Sequence, residues 1–315
     1  RNLVGSGFEG VVYPVTAKRE SVQGIQASPD VASLPKTPDL AVIATPAETV
    51  PGLVHACGEA GIKGLIVITA GFREAGEAGK ALEDQIRAEL RAYPGLRVIG
   101  PNCLGVIVPG VKLNASFATA MPGDGHVSFI SQSGALCTSI LDWAIMENVG
   151  FSYFVSIGNM LDVSFADLID YFGEDAKTRS IILYAESMTE PREFMSAARA
   201  FSRSKPIVAY KSGRFAESAR AAASHTGALA GEDAVFDAAF QRAGIVRVND
   251  IADIFDCAEL LARQRAVRGP RLAIITNAGG PGVMATDALL ARGGKLATLT
   301  PETIEKLNGC LPAYW

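Results

Sequence analysis

The fold of this chain is decided by one stretch of its sequence, Val127-Ser128-Phe129-Ile130-Ser131-Gln132-Ser133-Gly134-Ala135. A short apolar run leads through a polar turn into a helical stretch that extends to Asn148. Such apolar runs recur along the chain with helical stretches between them, and they are continuous rather than alternating with polar residues. This pattern predicts parallel sheets in doubly wound α/β domains. The other runs are Val11 to Val15, Leu40 to Ala44, Gly64 to Thr69, Arg97 to Ile99, Phe151 to Ser156, Ile181 to Tyr184, Ile207 to Tyr210, Ile245 to Val248 and Leu272 to Thr276.

The polar turn in this stretch predicts a phosphate-binding site. Ligands of such domains bind at the carboxyl ends of the strands, and the first turn of a helix leaves backbone N–H groups unpaired. The residues at this position are Ser131, Gln132, Ser133, Gly134 and Ala135. Simple N-capping by a serine is an alternative that is compatible with phosphate binding. A serine nucleophile is disfavoured because the G-x-S-x-G pattern is absent from this turn.

A second candidate is His225, which lies among small residues between an apolar run and an amphipathic helix. Imidazole is nucleophilic and readily neutral near pH 7, so an accessible loop histidine is a candidate for covalent chemistry; a solvated loop residue is the alternative. Glu186 follows the run that ends at Tyr184, where a carboxylate can accept a hydrogen bond from one ring nitrogen and leave the other free to attack phosphorus. Lys211 and Arg214 are secondary candidates that would neutralise a phosphoryl group, unless they are solvated loop cations.

Several blocks of the sequence resemble one known family. Ser224-His225-Thr226-Gly227-Ala228-Leu229-Ala230-Gly231 is similar to the phosphohistidine loop of the nucleoside-diphosphate-forming acyl-CoA synthetases, the superfamily of ADP-forming acetate–CoA ligase and succinyl-CoA synthetase. Further blocks fall in the order that this family shows. They are Tyr13-Pro14-Val15, Leu40-Ala41-Val42-Ile43-Ala44-Thr45-Pro46-Ala47, Gly100-Pro101-Asn102-Cys103-Leu104-Gly105, Ser131-Gln132-Ser133-Gly134-Ala135-Leu136 and Asn277-Ala278-Gly279-Gly280-Pro281-Gly282.

The resemblance implies an α/β architecture of three parts. Residues 1–121 would form an N-terminally truncated, Rossmann-like CoA-binding domain. Residues 122–267 would form a flavodoxin-like domain of the succinyl-CoA synthetase type that carries the phosphohistidine. Residues 268–315 would begin a second flavodoxin-like ligase domain. The implied activity interconverts acyl-CoA, ADP and phosphate with a carboxylic acid, CoA and ATP, with His225 carrying the phosphoryl group and Glu186 supporting it.

The resemblance also implies a CoA groove on the first sheet, where small residues follow three strands. These residues are Thr45, Pro46, Ala47, Thr69, Ala70, Gly71, Asn102 and Cys103. In the family, a cysteine at this position lies near the CoA thiol. The alternatives are structural: Pro46 begins a helix, Gly71 ends a strand, and Cys103 is a small buried hydrophobe.

The ligands and partners that the resemblance implies are CoA as a substrate, a small carboxylic acid, and ATP or ADP with Mg²⁺. The sequence has no P-loop motif, so we expect the nucleotide and the metal on an ATP-grasp part downstream or on a beta subunit. Both ends of the chain look cut, and we expect a fragment of a longer polypeptide that does not turn over alone. We expect an oligomer and no metal ligands in this chain.

Composition excludes other classes. The net charge of -4 and the pI near 5.5 argue against a nucleic-acid surface, and the apolar runs are too short to span a membrane. The five cysteines are scattered singly, which favours a reducing cytoplasm.

Two alternative functions stay open. One is a CoA-sensing regulatory part of a protein lysine acetyltransferase. The other is a nicotinamide-dependent Rossmann enzyme, but the motif Gly5-Ser6-Gly7-Phe8-Glu9-Gly10 precedes a predicted strand instead of following one.

Overall fold

The computed structural model describes residues 1–215, 218, 232–264 and 269–312. The chain divides into two compact units, Arg1–Gln264 and Arg265–Trp315, and each is described by itself. The predicted nucleophile His225 and most of the loop around it lie outside the described residues.

The strands and helices follow each other in alternation over much of the chain. The strands are β1 (Ser21–Val22), β2 (Ile25–Gln26), β3 (Leu40–Ile43), β4 (Gly64–Val67), β5 (Arg97–Ile99), β6 (Gly105–Val108), β7 (Leu113–Ser116), β8 (Asp124–Ser131), β9 (Phe151–Ser156), β10 (Ser180–Ala185), β11 (Ile207–Lys211), β12 (Val246–Val248), β13 (Arg271–Leu272) and β14 (Lys295–Leu296). The helices are α1 (Asn2–Gly5), α2 (Val50–Glu59), α3 (Glu77–Ala92), α4 (Gly134–Met146), α5 (Phe165–Glu174), α6 (Pro191–Phe201), α7 (Asp233–Ala243), α8 (Ile251–Arg263), α9 (Gly279–Ala291) and α10 (Pro301–Asn308). Within the described ranges, no helix is both long enough and apolar enough to cross a membrane.

A small parallel sheet in the order β3-β4-β5 organises the first part of the chain. Its core combines strand residues such as Val67 with Val54 of α2 and Ile86 of α3. Helix α3 approaches the preceding turn so closely that a Cβ atom on Gly79 would lie 1.8 Å from the carbonyl oxygen of Phe72. Only glycine therefore fits at position 79.

A larger sheet has the order β12-β11-β10-β8-β9-β6-β7, and β8 to β12 within it are parallel. Successive residues of one strand face opposite sides: Leu183 of β10 enters one apolar cluster and Ile182 the other. Helix α5 covers the first side with Phe165, whereas α4 and α8 cover the second side with Ile140 and Ile254. Burial on both faces explains the continuous apolar strands and confirms the predicted doubly wound α/β fold.

One edge of the larger sheet departs from the predicted parallel arrangement. Strand β6 pairs antiparallel with both β7 and β9. Residues 109–112 are the whole connection between β6 and β7, which is too short for the crossover that parallel strands need, so the two strands form a hairpin. The hairpin joins the larger sheet, and the predicted domain boundary between residues 121 and 122 stays a prediction.

The strand predicted over Val11 to Val15 is also wrong. The run contributes an isolated bridge between Val15 and Ser28. Pro14 has no N–H to donate, and its carbonyl oxygen accepts from the N–H of Ser28 at 2.9 Å. The run therefore pairs at one point instead of along its length.

The second unit contains a βαβ arrangement. Strands β13 and β14 pair in parallel, and α9 connects them before α10 follows. The strand predicted from Leu272 to Thr276 is confirmed only at its beginning, because pairing with β14 stops after Leu272.

Candidate functional site

The turn after β8 is stabilised by hydrogen bonds between its serine hydroxyls and its backbone. The Oγ atom of Ser131 is buried, accepts from the backbone N–H of Ser133 and donates to the carbonyl oxygen of Ser133, both at 3.0 Å. Ser133 is the N-cap of α4, with its Oγ accepting from the N–H of Leu136 at 3.3 Å. The capping interpretation is thus confirmed for Ser133. The N–H groups of Gly134 and Ala135 begin the helix, and phosphate binding there stays a prediction.

Gln132 ties this turn to the end of the neighbouring strand. Its Oε1 accepts from the backbone N–H groups of Glu186 and Ser187, the latter at 3.0 Å, and its Nε2 donates to Ser187 Oγ at 3.1 Å. The amide oxygen and one amide N–H are therefore engaged with protein, and phosphate binding by Gln132 stays a prediction. The effect of these hydrogen bonds is to hold Glu186 beside the start of α4. We call the turn from Ser131 to Ala135 the phosphate seat.

Lys211 lies at the end of β11, on the same edge of the sheet. Its side chain is only 1% exposed, which excludes the solvated-cation alternative. Its Nζ lies 4.6 Å from the ring centroid of Phe236 and donates to the carbonyl oxygen of Ser212. Burial lowers the pKa of Lys211, the negative charges of Asp233 and Glu186 oppose that shift, and Arg247 adds to it.

The other predicted cation is already paired. Arg214 Nε lies 3.7 Å from Asp233 Oδ2, and the same carboxylate pairs with Arg247 of β12. Arg247 also lies 3.3 Å from Asp237 through its Nη1. Sequence reasoning missed Arg247, although a charged residue inside the apolar run Ile245 to Val248 was a signal for it. Because its side chain is buried, Lys211 would act on an anion at this edge through its charge rather than by direct contact.

The predicted CoA groove is a rim of small residues at the carboxyl ends of β3 and β4. Thr45, Pro46 and Ala70 are exposed. The hydroxyl of Thr69 donates to the carbonyl oxygen of Thr45 at 2.7 Å and joins the two strand ends. A Cβ atom on Gly71, where φ is +104°, would lie 3.2 Å from the Cβ atom of Ala47. Small residues there keep the backbone open to a ligand.

The end of β5 completes this rim. Asn102 has a φ of +57°, and its N–H donates to the carbonyl oxygen of Thr69 at 2.8 Å. Cys103 is buried, its thiol donates to the carbonyl oxygen of Val67 at 3.3 Å, and burial raises its pKa to about 12. These contacts fit the alternative interpretation of Cys103 as a small buried hydrophobe.

The rim and the phosphate seat meet through the end of β9. The N–H of Ile157 donates to the carbonyl oxygen of Ser131 at 2.8 Å, and Ser156 Oγ accepts from the N–H of Leu104 at 3.0 Å. The structure thereby brings together the predicted CoA and phosphate residues. His225 lies outside the described residues, so its position relative to them stays a prediction.

Comparison with known proteins supports the first two of the three predicted parts. Residues 1–109 match the model of a CoA binding domain, and residues 124–261 match the model of a succinyl-CoA ligase like flavodoxin domain. These matches confirm the predicted order of a CoA-binding domain and a flavodoxin-like domain.

Relatives and solved structures agree with the family models. The chain is 44% identical, over 96% of its length, to the ADP-forming acetate–CoA ligase II subunit alpha of Pyrococcus furiosus, and covers 66% of that protein. It is 43% identical, over 97% of its length, to the ADP-forming acetate–CoA ligase of Methanocaldococcus jannaschii, and covers 43% of that protein. A dinucleotide-forming acetyl-coenzyme A synthetase 1 of Ca. Korarchaeum cryptofilum, solved with phosphate and ADP, superposes with a TM-score of 0.92 at 37% identity, covering 99% of this chain and 67% of that one. The chain therefore spans less than two thirds of the curated relatives it matches.

Proposed function

Because the chain belongs to the superfamily of nucleoside-diphosphate-forming acyl-CoA synthetases, we propose that it is the CoA-ligase part of an enzyme that interconverts acyl-CoA, ADP and phosphate with a carboxylic acid, CoA and ATP. One observation carries the proposal: Gln132 holds Glu186 beside the first turn of α4, and that turn is hydrogen-bonded to the β9 end that meets the small-residue rim.

The first step would take place between the rim and the phosphate seat. Small residues at Thr45, Pro46 and Ala70 suit the narrow pantetheine arm of CoA. Backbone N–H groups at the positive end of α4 suit the phosphate dianion. A phosphate oxygen attacks the thioester carbonyl carbon, the C–S bond breaks, and the products are an acyl phosphate and the CoA thiolate, which takes up a proton.

The second step would pass the phosphoryl group to His225. A neutral ring nitrogen attacks phosphorus, the bond from phosphorus to the acyl oxygen breaks, and the carboxylate leaves. Glu186 would accept a hydrogen bond from the other ring nitrogen, which selects the tautomer and stabilises positive charge on the ring. An oxygen of the ADP β-phosphate then attacks the same phosphorus, the N–P bond breaks, and ATP forms.

The nucleotide would bind elsewhere. We assign ADP, ATP and Mg²⁺ to an ATP-grasp part outside this sequence, either fused to the chain or on a partner subunit. Both arrangements are compatible with the relatives, since the Pyrococcus furiosus protein is named a subunit alpha and the Methanocaldococcus jannaschii protein is more than twice as long as the matched segment. A small carboxylic acid, cytoplasmic location and oligomeric assembly stay predictions.

The test uses the complete enzyme with acyl-CoA and radiolabelled phosphate. The proposal predicts an acid-labile, base-stable label on the protein that is lost in the His225→Asn variant. A variant of another histidine, His126→Asn, is the control; its ring Nδ1 donates to the Lys177 carbonyl oxygen at 3.0 Å, and its label should match that of the unaltered enzyme. A label that persists in His225→Asn would refute the assignment.

The alternative reading as a CoA-sensing part of a protein lysine acetyltransferase finds no support in these comparisons.

A further inference from the structure

Residues 158–163, which follow β9, lie along β5 at the edge of the small sheet. We call this segment the strap. Its backbone is hydrogen-bonded to β5 and the turn after β5 at every second residue. The N–H groups of Asn159, Leu161 and Val163 donate to the carbonyl oxygens of Pro101, Gly100 and Val98 at 2.9, 3.0 and 3.0 Å. The strap therefore attaches the larger sheet to the small one as an additional strand would.

Asn159 is the strap residue with the most contacts. It is 5% exposed, and its Nδ2 donates to Glu74 Oε2 at 2.7 Å and to Glu83 Oε1 at 2.8 Å. Its Oδ1 accepts from Asn102 Nδ2 at 3.3 Å, and its backbone carbonyl oxygen accepts from Arg73. An asparagine amide has two N–H donors, and both are used here. Asn159 is thus held by groups from helix α3 and from the turns that follow β4 and β5.

The carboxylate of Glu74 links Asn159 to the rim. Its Oε1 accepts from the backbone N–H groups of Gly71 and Phe72 at 2.7 and 3.1 Å, while its Oε2 receives the Asn159 amide. Asn102, the other partner of Asn159, lies in the turn after β5. Asn159 therefore contacts two of the three turns that form the predicted CoA groove, directly or through one side chain.

The residues just before the strap contact the phosphate seat. Ser156, at the end of β9, is the register partner of Ser131, and the next residue donates to the Ser131 carbonyl oxygen. A short stretch of chain, residues 156–159, thus separates the seat from the amide that holds the rim. This stretch is thus one connection between rim and seat, beside the hydrogen bond from the Leu104 N–H to Ser156 Oγ.

We infer that Asn159 is a positioning residue that aligns the CoA rim with the phosphate seat; this inference rests on the proposed function. Attack of phosphate on the thioester requires reacting atoms about 3 to 3.5 Å apart, and a misplacement of about 1 Å costs roughly 100-fold in rate. ATP-driven phosphorylation of His225 involves the seat side without the rim. Loss of Asn159 should therefore separate the two half-reactions.

Two variants of the complete enzyme test the inference. Asn159→Ala removes the amide, and Asn159→Asp keeps its shape but turns a carboxylate toward Glu74 and Glu83. We expect CoA affinity, measured by calorimetry, to fall roughly tenfold or more, and kcat/KM for acyl-CoA to fall about 100-fold. Phosphorylation of His225 by ATP should stay within about twofold of the unaltered enzyme.

A matched control variant and a rescue variant are included in the test. Asn114 is as buried, at 2% exposed, but its Oδ1 accepts from Ser116 in the β6–β7 hairpin, so Asn114→Ala should leave CoA affinity unchanged. Combining Asn159→Asp with Glu83→Gln exchanges amide and carboxylate across one hydrogen bond and should restore part of the lost affinity.

The outcomes are distinct. Unchanged CoA affinity in both Asn159 variants would overturn the inference. A parallel loss of CoA affinity and ATP-driven phosphorylation would mean a general structural role and would also overturn it. If the unaltered enzyme binds CoA but is not phosphorylated by ATP, the proposed relay fails while the role of Asn159 in CoA binding is still measured.

Discussion

Gln132 and Ser187 are joined by two hydrogen bonds across the edge of the larger sheet. Gln132 Oε1 accepts from the Ser187 N–H at 3.0 Å, and Gln132 Nε2 donates to Ser187 Oγ at 3.1 Å. Because the same Oε1 accepts from the N–H of Glu186, the proposed support for His225 is attached directly to the phosphate seat. Gln132 thus fixes the turn that carries Glu186, and its predicted contact with phosphate stays a prediction.

Two replacements of Gln132 should distinguish the loss of its hydrogen bonds from the effect of an added negative charge. Gln132→Ala leaves two backbone N–H groups without their acceptor, which costs about 1 to 3 kcal/mol for a buried group and should reduce the yield of phosphohistidine. Gln132→Glu keeps an acceptor oxygen, so the unfolding free energy should change less, but its negative charge should weaken phosphate binding. Denaturant unfolding and phosphohistidine yield measure the two effects. Equal yields in the unaltered enzyme and both variants would contradict the account.

Ser133 allows capping and anion binding to be told apart. Ser133→Ala should lower the free energy of unfolding by about 1 kcal/mol because α4 loses its N-cap. Ser133→Asp keeps the cap but places a negative charge at the seat, so the KM for phosphate should rise while stability is retained.

The control is Ser164→Ala, which removes the N-cap of α5. Its stability loss should match that of Ser133→Ala, with an unchanged KM for phosphate. If Ser133→Asp also leaves that KM unchanged, the seat is not where phosphate binds.

Lys211 should make the free energy of unfolding depend on pH. Burial lowers its folded-state pKa from the ordinary value of 10.5, so above the lowered pKa the unfolded chain binds more protons than the folded one. Lys211 should therefore increase the free energy of unfolding as the pH rises from that lowered pKa to about 10.5. Lys211→Met should abolish this gain and leave stability at pH 7 unchanged or higher by about 1 kcal/mol.

The same variant should impair the reaction, because the seat edge loses a positive charge; we expect the KM for phosphate to rise about tenfold. Lys205→Met is the control. Lys205 Nζ donates to the carbonyl oxygen of Phe172 at 2.7 Å, so its loss should lower stability without affecting phosphate. A Lys211→Met enzyme that is less stable at pH 7 and fully active would contradict both expectations.

Cys103 should be unreactive in the folded protein. The thiolate is the reactive form of cysteine, and burial raises the pKa of Cys103 to about 12. Native alkylation at pH 8 followed by mass spectrometry should label the exposed Cys310 and leave Cys103 unmodified until the protein is unfolded. Rapid labelling of Cys103, or its protection by CoA alone, would instead place the thiol in the groove.

The sequence predicts those parts of the fold that depend on local patterns. The apolar run Val127 to Ile130 and its polar turn correspond to β8 and the start of α4, because a strand buried on both faces must be continuously apolar. The hairpin of β6 and β7 was missed because neither of its four-residue strands was predicted. The partner of β6 in the sheet, β9, lies 47 to 49 residues further on in register, so local sequence does not show the pairing.

The site is less accessible to sequence reasoning, because its contacts are between distant residues. Ser133, Glu186 and Lys211 follow strand ends and were identified on that basis. Asn159 was missed, since its importance depends on Glu74 and Glu83, more than 70 residues earlier in the chain. A polar residue directly after Gly158, in a loop that follows a buried strand, was the available signal.

The central claim, a phosphoryl relay through His225, is tested most directly by a chase of the isolated phosphoenzyme. The complete enzyme is labelled with acyl-CoA and radioactive phosphate, freed of substrates, and divided into two portions. Addition of ADP should move the label into ATP, and addition of the carboxylic acid with CoA should release it as inorganic phosphate, both at rates no slower than turnover. A label that stays on the protein in either portion, or leaves more slowly than turnover, would contradict the relay.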